Sequence, residues 1–257
     1  MLRAVLYALV AIFAAAMIVI VLAPAQWLAI AVRNATQGHV ELADADGTIW
    51  SGRATVVLGS GDPGGARASL AEPLTWKLAP WPLLIGEIDL TLSHPSALVQ
   101  PLALRATLAR RLDIGPANVR LPASLLTGLG APWNTIRPGG IIVLTWDRLQ
   151  FEAGRMIGNP SAEWQFASSA LTPVSPFGNY RLQTSGGYPG TQLNLVTLAG
   201  PLEMTGNGTI ADGGRVRFQG IARVAPNADP AVKAQLAGLI ALLGRREGDA
   251  ALLNFGN

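Results

Sequence analysis

The sequence predicts an all-β fold, mainly antiparallel and shaped as a curved sheet or a half-open barrel or sandwich. One N-terminal transmembrane helix precedes it and a short helix lies near its C-terminus. Three observations carry this expectation. An unbroken apolar run opens the chain, the apolar residues past position 40 recur mainly at every second position, and Gly- and Pro-rich turns separate those runs. The turns fall at intervals of about 8–12 residues, the spacing of a sandwich, barrel or meander, and no strand–helix–strand rhythm interrupts them.

The opening run is the strongest single signal. From Ala4 to Ala23 all twenty residues are apolar or Tyr, and at about 1.5 Å per residue a helix of that length spans roughly 30 Å of bilayer hydrocarbon. Ala4, Leu6, Ile12, Phe13, Ile18, Ile20 and Leu22 form the expected membrane anchor, and Trp27 suits the headgroup interface. Arg3 and the amino terminus precede the run, and positive charge stays on the cytoplasmic side. The expectation is therefore a single-pass protein of a bacterial inner membrane with the bulk of the chain in the periplasm. A cleaved signal peptide is the competing reading, because Ala23-Pro24-Ala25 has the small-x-small form of a cleavage site; the length of the apolar run, past the usual limit of about 15 residues, favours an uncleaved anchor. Residues 1–33 are assigned to the anchor and its interfacial extension. Residues 34–257 form the periplasmic β-rich domain, with a division into two similar lobes placed near 125–138.

Half of the 257 residues are hydrophobic, enough to fill a core. The clearest alternation is Ile88-Asp89-Leu90-Thr91-Leu92-Ser93, which puts three apolar side chains on one face. Leu74, Trp76 and Leu78 repeat it, as do Leu102, Leu104, Ala106 and Leu108; Ile142, Leu144 and Trp146, continuing to Leu149 and Phe151; Ala162, Trp164 and Phe166; and later pairs as far as Val216 and Phe218. The best helix runs from Pro230 to Leu243. Asp229 is its N-cap, Pro230 its first residue and Gly244 its stop, and Val232, Leu236, Leu239, Ile240 and Leu243 share a face. A weaker candidate covers Pro122 to Leu129. Gly47-Thr48-Ile49 is echoed by Gly208-Thr209-Ile210, and Leu74-Thr75-Trp76 by Leu144-Thr145-Trp146, which is the basis for the two lobes.

Several chemistries are excluded or unsupported. The absence of cysteine rules out disulfides, thiolate catalysis and lipid acylation. His39 and His94 lie 55 positions apart and read as exposed loop residues, so no metal site is expected. Gly59, Gly61 and Gly64 fit a phosphate-loop spacing, but no helix follows, and a plain hairpin loop is the better reading. The net charge of +3 is spread thinly, and Arg105, Arg110 and Arg111 read as a solvated face, so no nucleic-acid partner is expected. No catalytic motif, cofactor or small-molecule substrate is expected, and the chain reads as a binding protein. Trp76, Trp146 and Trp164 fall in register with buried strand faces. The turn residues Trp50, Ser51 and Gly52, together with Trp81 between Pro80 and Pro82, are the candidate partner-binding residues.

An apolar anchor, then Gly47-Thr48-Ile49-Trp50-Ser51-Gly52, then Leu74-Thr75-Trp76 and Trp81-Pro82-Leu83-Leu84-Ile85-Gly86, resembles the type II secretion system protein N family. Later pieces agree with it: Gly140-Ile141-Ile142-Val143-Leu144, Gly200-Pro201-Leu202 with Gly206 and Gly208, and Asp229-Pro230 opening a helix that ends Leu242-Leu243-Gly244-Arg245. The resemblance implies a non-catalytic, bitopic inner-membrane part of the machine that exports folded proteins, with the secretin and the inner-membrane platform proteins as partners. The competing class is a periplasmic lipid or hydrophobe carrier, in which a sheet that curves without closing leaves an apolar groove open.

Overall fold

Alternation becomes pleated sheet over most of the chain. A computed structural model describes residues 7, 9, 14, 19–62, 64–152, 155–186, 190–211 and 215–256. Of the expected anchor, Ala4, Leu6, Ile12, Phe13 and Ile18 lie outside the described residues, while Ile20, Leu22 and Trp27 are described and exposed. Among the described residues no helix is long and apolar enough to cross a membrane. The expected transmembrane helix is therefore not among the described elements, because most of its run lies outside them.

The first helix, α1 (Ala25–Ala35), is followed by β1 (Val40–Gly47), β2 (Ser51–Gly59), β3 (Arg67–Ser69) and β4 (Leu74–Leu78). A one-turn helix α2 (Pro80–Leu83) leads to β5 (Glu87–Ser93), β6 (Leu102–Thr107), β7 (Arg111–Ile114) and β8 (Ala117–Pro122). A 3-10 helix (Ala123–Leu129) and α3 (Trp133–Ile136) precede β9 (Pro138–Trp146), β10 (Leu149–Glu152) and β11 (Arg155–Ile157). The remainder is β12 (Ser161–Ser169), β13 (Gly178–Ser185), β14 (Thr191–Ala199), β15 (Leu202–Ile210), β16 (Val216–Val224), α4 (Pro230–Leu243), β17 (Arg245–Glu247) and β18 (Ala250–Phe255).

These strands form two antiparallel sheets, neither closed on itself. The first runs β1-β2-β4-β5-β6-β7-β10-β11, with β3 paired to β2; the second runs β17-β18-β16-β15-β14-β13-β12-β9-β8. The chain thus leaves the first sheet after β7, lays down β8 and β9 in the second, and returns for β10 and β11. A bridge between Leu98 and Val119 ties the β5–β6 connection to β8. The 3-10 helix, the form taken by the weaker helix candidate, packs on β2 and β3 and also on β9. The Gly59-Gly61-Gly64 segment is a loop between β2 and β3, with Gly59 paired to Arg67, as the hairpin reading required.

The larger core lies between one face of the second sheet and α4. Leu193, Leu202, Met204, Phe218, Ala222 and Leu253 meet Leu236, Leu239 and Ile240 of the helix, with Val232 and Leu243 at the margin. The α4 signals act as expected: the Asp229 carboxylate accepts from the Ala231 N–H at 2.8 Å, and the helix stops at Gly244. Trp164 packs edge-on against Phe177, with ring centroids 5.6 Å apart. The smaller core joins α1 to the first sheet, where Ala25, Ala54 and Trp76 are buried beside Leu28, Leu42, Leu90 and Leu92. All three strand tryptophans place their indole N–H on a carbonyl: Trp76 on Ile49, Trp146 on Gly115 and Trp164 on Gly139.

His94 departs from expectation. It is buried, at 4% exposure, where an exposed loop residue was predicted. Its Nδ1 accepts from the Ala97 N–H at 3.0 Å and the Ser96 N–H at 3.3 Å, so its Nε2 carries the hydrogen donated to the Glu72 carbonyl at 2.9 Å. The imidazole is a brace for the β5–β6 connection, satisfying main-chain groups that would otherwise be orphaned on burial. His39 is exposed, as expected.

Candidate partner-binding surface

The Gly47–Gly52 turn is built from close contacts. Gly47 has φ +93°, in the left-handed region open to glycine, and a Cβ there would lie 2.6 Å from the Ser51 carbonyl oxygen. A Cβ on Gly52 would lie 2.5 Å from Cζ2 of Trp76 and 2.6 Å from the Asp46 carbonyl oxygen. Those two glycines let the turn fold flat against the Trp76 ring, whose indole N–H bonds the Ile49 carbonyl inside it at 3.1 Å. Thr48 and Ser51 bond each other across the turn.

This turn also holds the end of the apolar N-terminal run. The Ile49 N–H donates to the Ala23 carbonyl at 2.9 Å, Pro24 bridges Thr48, and the half-buried Trp50 donates its indole N–H to the Ile20 carbonyl at 2.9 Å. On its other side, the Trp50 carbonyl accepts from the Leu78 N–H at 2.7 Å. Trp50 and Gly52 are therefore engaged within the chain, while Ser51 is exposed.

Trp81 sits differently. It is 78% exposed in the α2 turn, with Leu84 and Ile85 exposed beside it at 78% and 75%. Gly86, at φ +78°, closes the turn, and its carbonyl accepts from the Leu108 N–H at 3.2 Å. The two candidate turns are neighbours, since Ser51 pairs with Lys77 in the β2–β4 ladder and α2 begins three residues after Lys77.

The faces of both sheets away from the helices carry ion pairs, and that of the second also exposes Ile221. In the first, Arg53 bonds Asp46, Arg105 bonds Asp89 at 3.0 Å, and Arg111 bonds Asp113 at 2.9 Å, so two of the three clustered arginines lie in ion pairs on a solvated face. The Arg111 guanidinium, then the Gln150 amide, hold the Asp113 carboxyl below its ordinary range. In the second sheet the Gln165 amide and then the Arg181 guanidinium lower the Glu163 carboxyl in the same way. The second sheet also carries an amide row that sequence reading missed. Gln183, Asn194, Asn207, Gln219 and Asn254 stand opposite one another across five adjacent strands, and the last four line a shallow depression of about 540 Å³. Each strand contributes one member among several polar residues, so the row exists only through cross-strand register.

The sheet ends differ in how they are protected. β17 ends the second sheet with the exposed Arg245-Arg246-Glu247, a charged edge that resists pairing. β11 ends the first sheet with Arg155-Met156-Ile157 and β10 as its ladder partner. Ile157 there is exposed. Among the described residues no group of three or more His, Asp or Glu side chains is placed to hold a metal ion.

Residues 38–252 match the family model described as "Type II secretion system (T2SS), protein N". No curated protein and no solved structure matches the chain.

Proposed function

The chain belongs to the type II secretion system protein N family, and on that premise we propose that it is a non-catalytic component of this machinery, anchored in the inner membrane of a bacterium. Its periplasmic sheets bind the secretin, the inner-membrane platform proteins, or both, while folded proteins are exported. The family match over most of the chain is the observation that carries this reading. The fold is compatible with it: two stiff sheets offer edge strands, and a partner strand laid on β11 would gain main-chain hydrogen bonds, with selectivity from alternate side chains.

The hydrophobe-carrier reading is the weaker one. Leu236, Leu239 and Ile240 of α4 cover the apolar face of the second sheet at its β16–β18 end, so an acyl chain there would have to displace the protein's own side chains.

Photocrosslinking in cells that make the whole secretion machine tests the proposal. A photoreactive residue at Ile157, and separately at Met156, both on the edge strand β11, is expected to give an adduct with the secretin or a platform protein from at least one position. If neither position yields an adduct with any secretion component, the edge-binding role is wrong.

A further inference from the structure

One end of the first sheet gathers apolar turns around the place where the N-terminal run leaves the domain. The β1–β2 turn lies there, because Gly47 pairs with Gly52. The α2 turn lies at the same end, since Ser51 pairs with Lys77 and Leu78 with Leu90. The β6–β7 turn joins them, since Glu87 pairs with Thr107. Pro24 and Ile20 are held at this end by Thr48 and Trp50.

From this end Trp81, Leu84 and Ile85 project outward at 75–78% exposure, and Leu108 at the tip of the β6–β7 turn is 86% exposed. The eight residues from Ala79 to Gly86 carry no charge. Leu108 is fixed beside them, because a Cβ on Gly86 would lie 2.9 Å from its Cγ and its N–H bonds the Gly86 carbonyl. In water, four large apolar side chains grouped on two adjoining turns are costly to leave exposed. A Trp with aliphatic neighbours, and the exposed Arg110 two residues beyond Leu108, is the composition that settles at a headgroup interface.

We infer that the Trp81–Ile85 turn and Leu108 form a second membrane contact, dipping into the lipid headgroup and acyl boundary beside the N-terminal anchor. The inference rests on the reading that the run before Pro24 enters the bilayer. The occupant is lipid and not a protein because the chain leaves the domain at this same end, so a run that enters the bilayer brings the surface to these turns. Trp50 couples the two, bonding the end of the run on one side and the strand leading into α2 on the other. The second contact, added to the grip of the β1–β2 turn on the run, sets the tilt of the sheet and the direction its edges face.

The cysteine-free chain allows a direct test. Single cysteines are placed in the full chain at Leu84, at Leu108, at Val99 and at Ile12, labelled with an environment-sensitive fluorophore, and reconstituted in phosphatidylethanolamine–phosphatidylglycerol vesicles carrying nitroxide lipids. Val99 is 70% exposed in the β5–β6 connection, at the opposite end of the sheet, and serves as the water-facing control. Labels at positions 84 and 108 are expected to lose most of their emission to the lipid nitroxides and to resist aqueous iodide, with the label at 99 doing the reverse. Labels at 84 and 108 that iodide reaches as readily as the one at 99 would overturn the inference, as would labels shielded from iodide yet untouched by lipid nitroxides, which would mean a protein occupant. The label at Ile12 reports the anchor separately. Quenching at 12 without quenching at 84 and 108 removes only the second contact, quenching at 84 and 108 without 12 removes only the anchor, and quenching at none removes both.

Discussion

The indole N–H of Trp50 donates to the main-chain carbonyl of Ile20 at 2.9 Å, so the first hairpin of the domain grips the chain just before the domain begins. Replacing Trp50 by Phe removes the donor together with the five-membered ring of the half-buried indole, which should cost about 1 kcal/mol for the lost bond in addition to the lost packing, and speed proteolysis between Ile20 and Pro24. Replacing Gly52 by Ala is expected to cost more, roughly 1–3 kcal/mol, because the new methyl group meets the Trp76 ring and the Asp46 carbonyl. Urea unfolding of both variants, followed by Trp fluorescence, checks the order. A Gly52→Ala midpoint equal to that of the unmodified chain would contradict the packing of this turn.

His94 should behave as a structural residue. His94→Ala strands the Ala97 N–H and the Glu72 carbonyl in a buried site, at a cost of about 1–3 kcal/mol. Thermal unfolding measures this, and His39→Ala, which removes one ring bond to the Gly59 carbonyl from an exposed side chain, is the comparison, expected to cost about 1 kcal/mol or less. Equal melting temperatures for the two variants would rule out the bracing role.

The α4 packing gives a graded pair. Leu236 is fully buried against the second sheet, and Leu236→Ala should cost about 2–5 kcal/mol. Asp229→Ala removes one cap bond to the Ala231 N–H and should cost about 1 kcal/mol. Denaturant midpoints decide the matter; a larger effect from the cap than from Leu236 would mean that α4 is not packed as described.

Acid should weaken the second sheet through Glu163. Its carboxyl is lowered from the ordinary 4.5 by the Gln165 amide and then the Arg181 guanidinium. A depressed carboxylate contributes stability that is complete above the unfolded value and is lost as pH falls through the folded one. Melting temperatures measured from about pH 5 down to pH 3 should therefore fall more for the unmodified chain than for Glu163→Gln. Parallel curves would show that the bonds of the Glu163 carboxylate to Gln165 and Arg181 do not contribute.

Local pattern made much of this fold readable before any coordinates. The period-two runs at Leu74–Leu78 and Ile88–Ser93 became β4 and β5, and the cap, proline and glycine signals bounded α4 at the residues expected. Short strands such as β7 and β17 escaped because three or four residues carry too little alternation to register. The fate of Trp50 was hidden for another reason: a Trp in a Ser-Gly turn looks like a surface feature until its partner thirty residues earlier is brought beside it. The amide row from Gln183 to Asn254 was equally invisible, since nothing in any single strand reports which residue stands opposite in the next.

The order in which the strands are laid down has a consequence for biosynthesis. While only the residues up to Ile114 are free to fold, the outer margin of β7 is bare, and the strand that will cover it, residues 149–152, follows only after β8 and β9 have gone to the other sheet. For that interval the nascent chain carries an unshielded strand able to recruit a neighbouring copy. A chaperone that lingers on Arg111–Ile114 until Glu152 arrives would remove the hazard, and a translational pause between those two points would aggravate it.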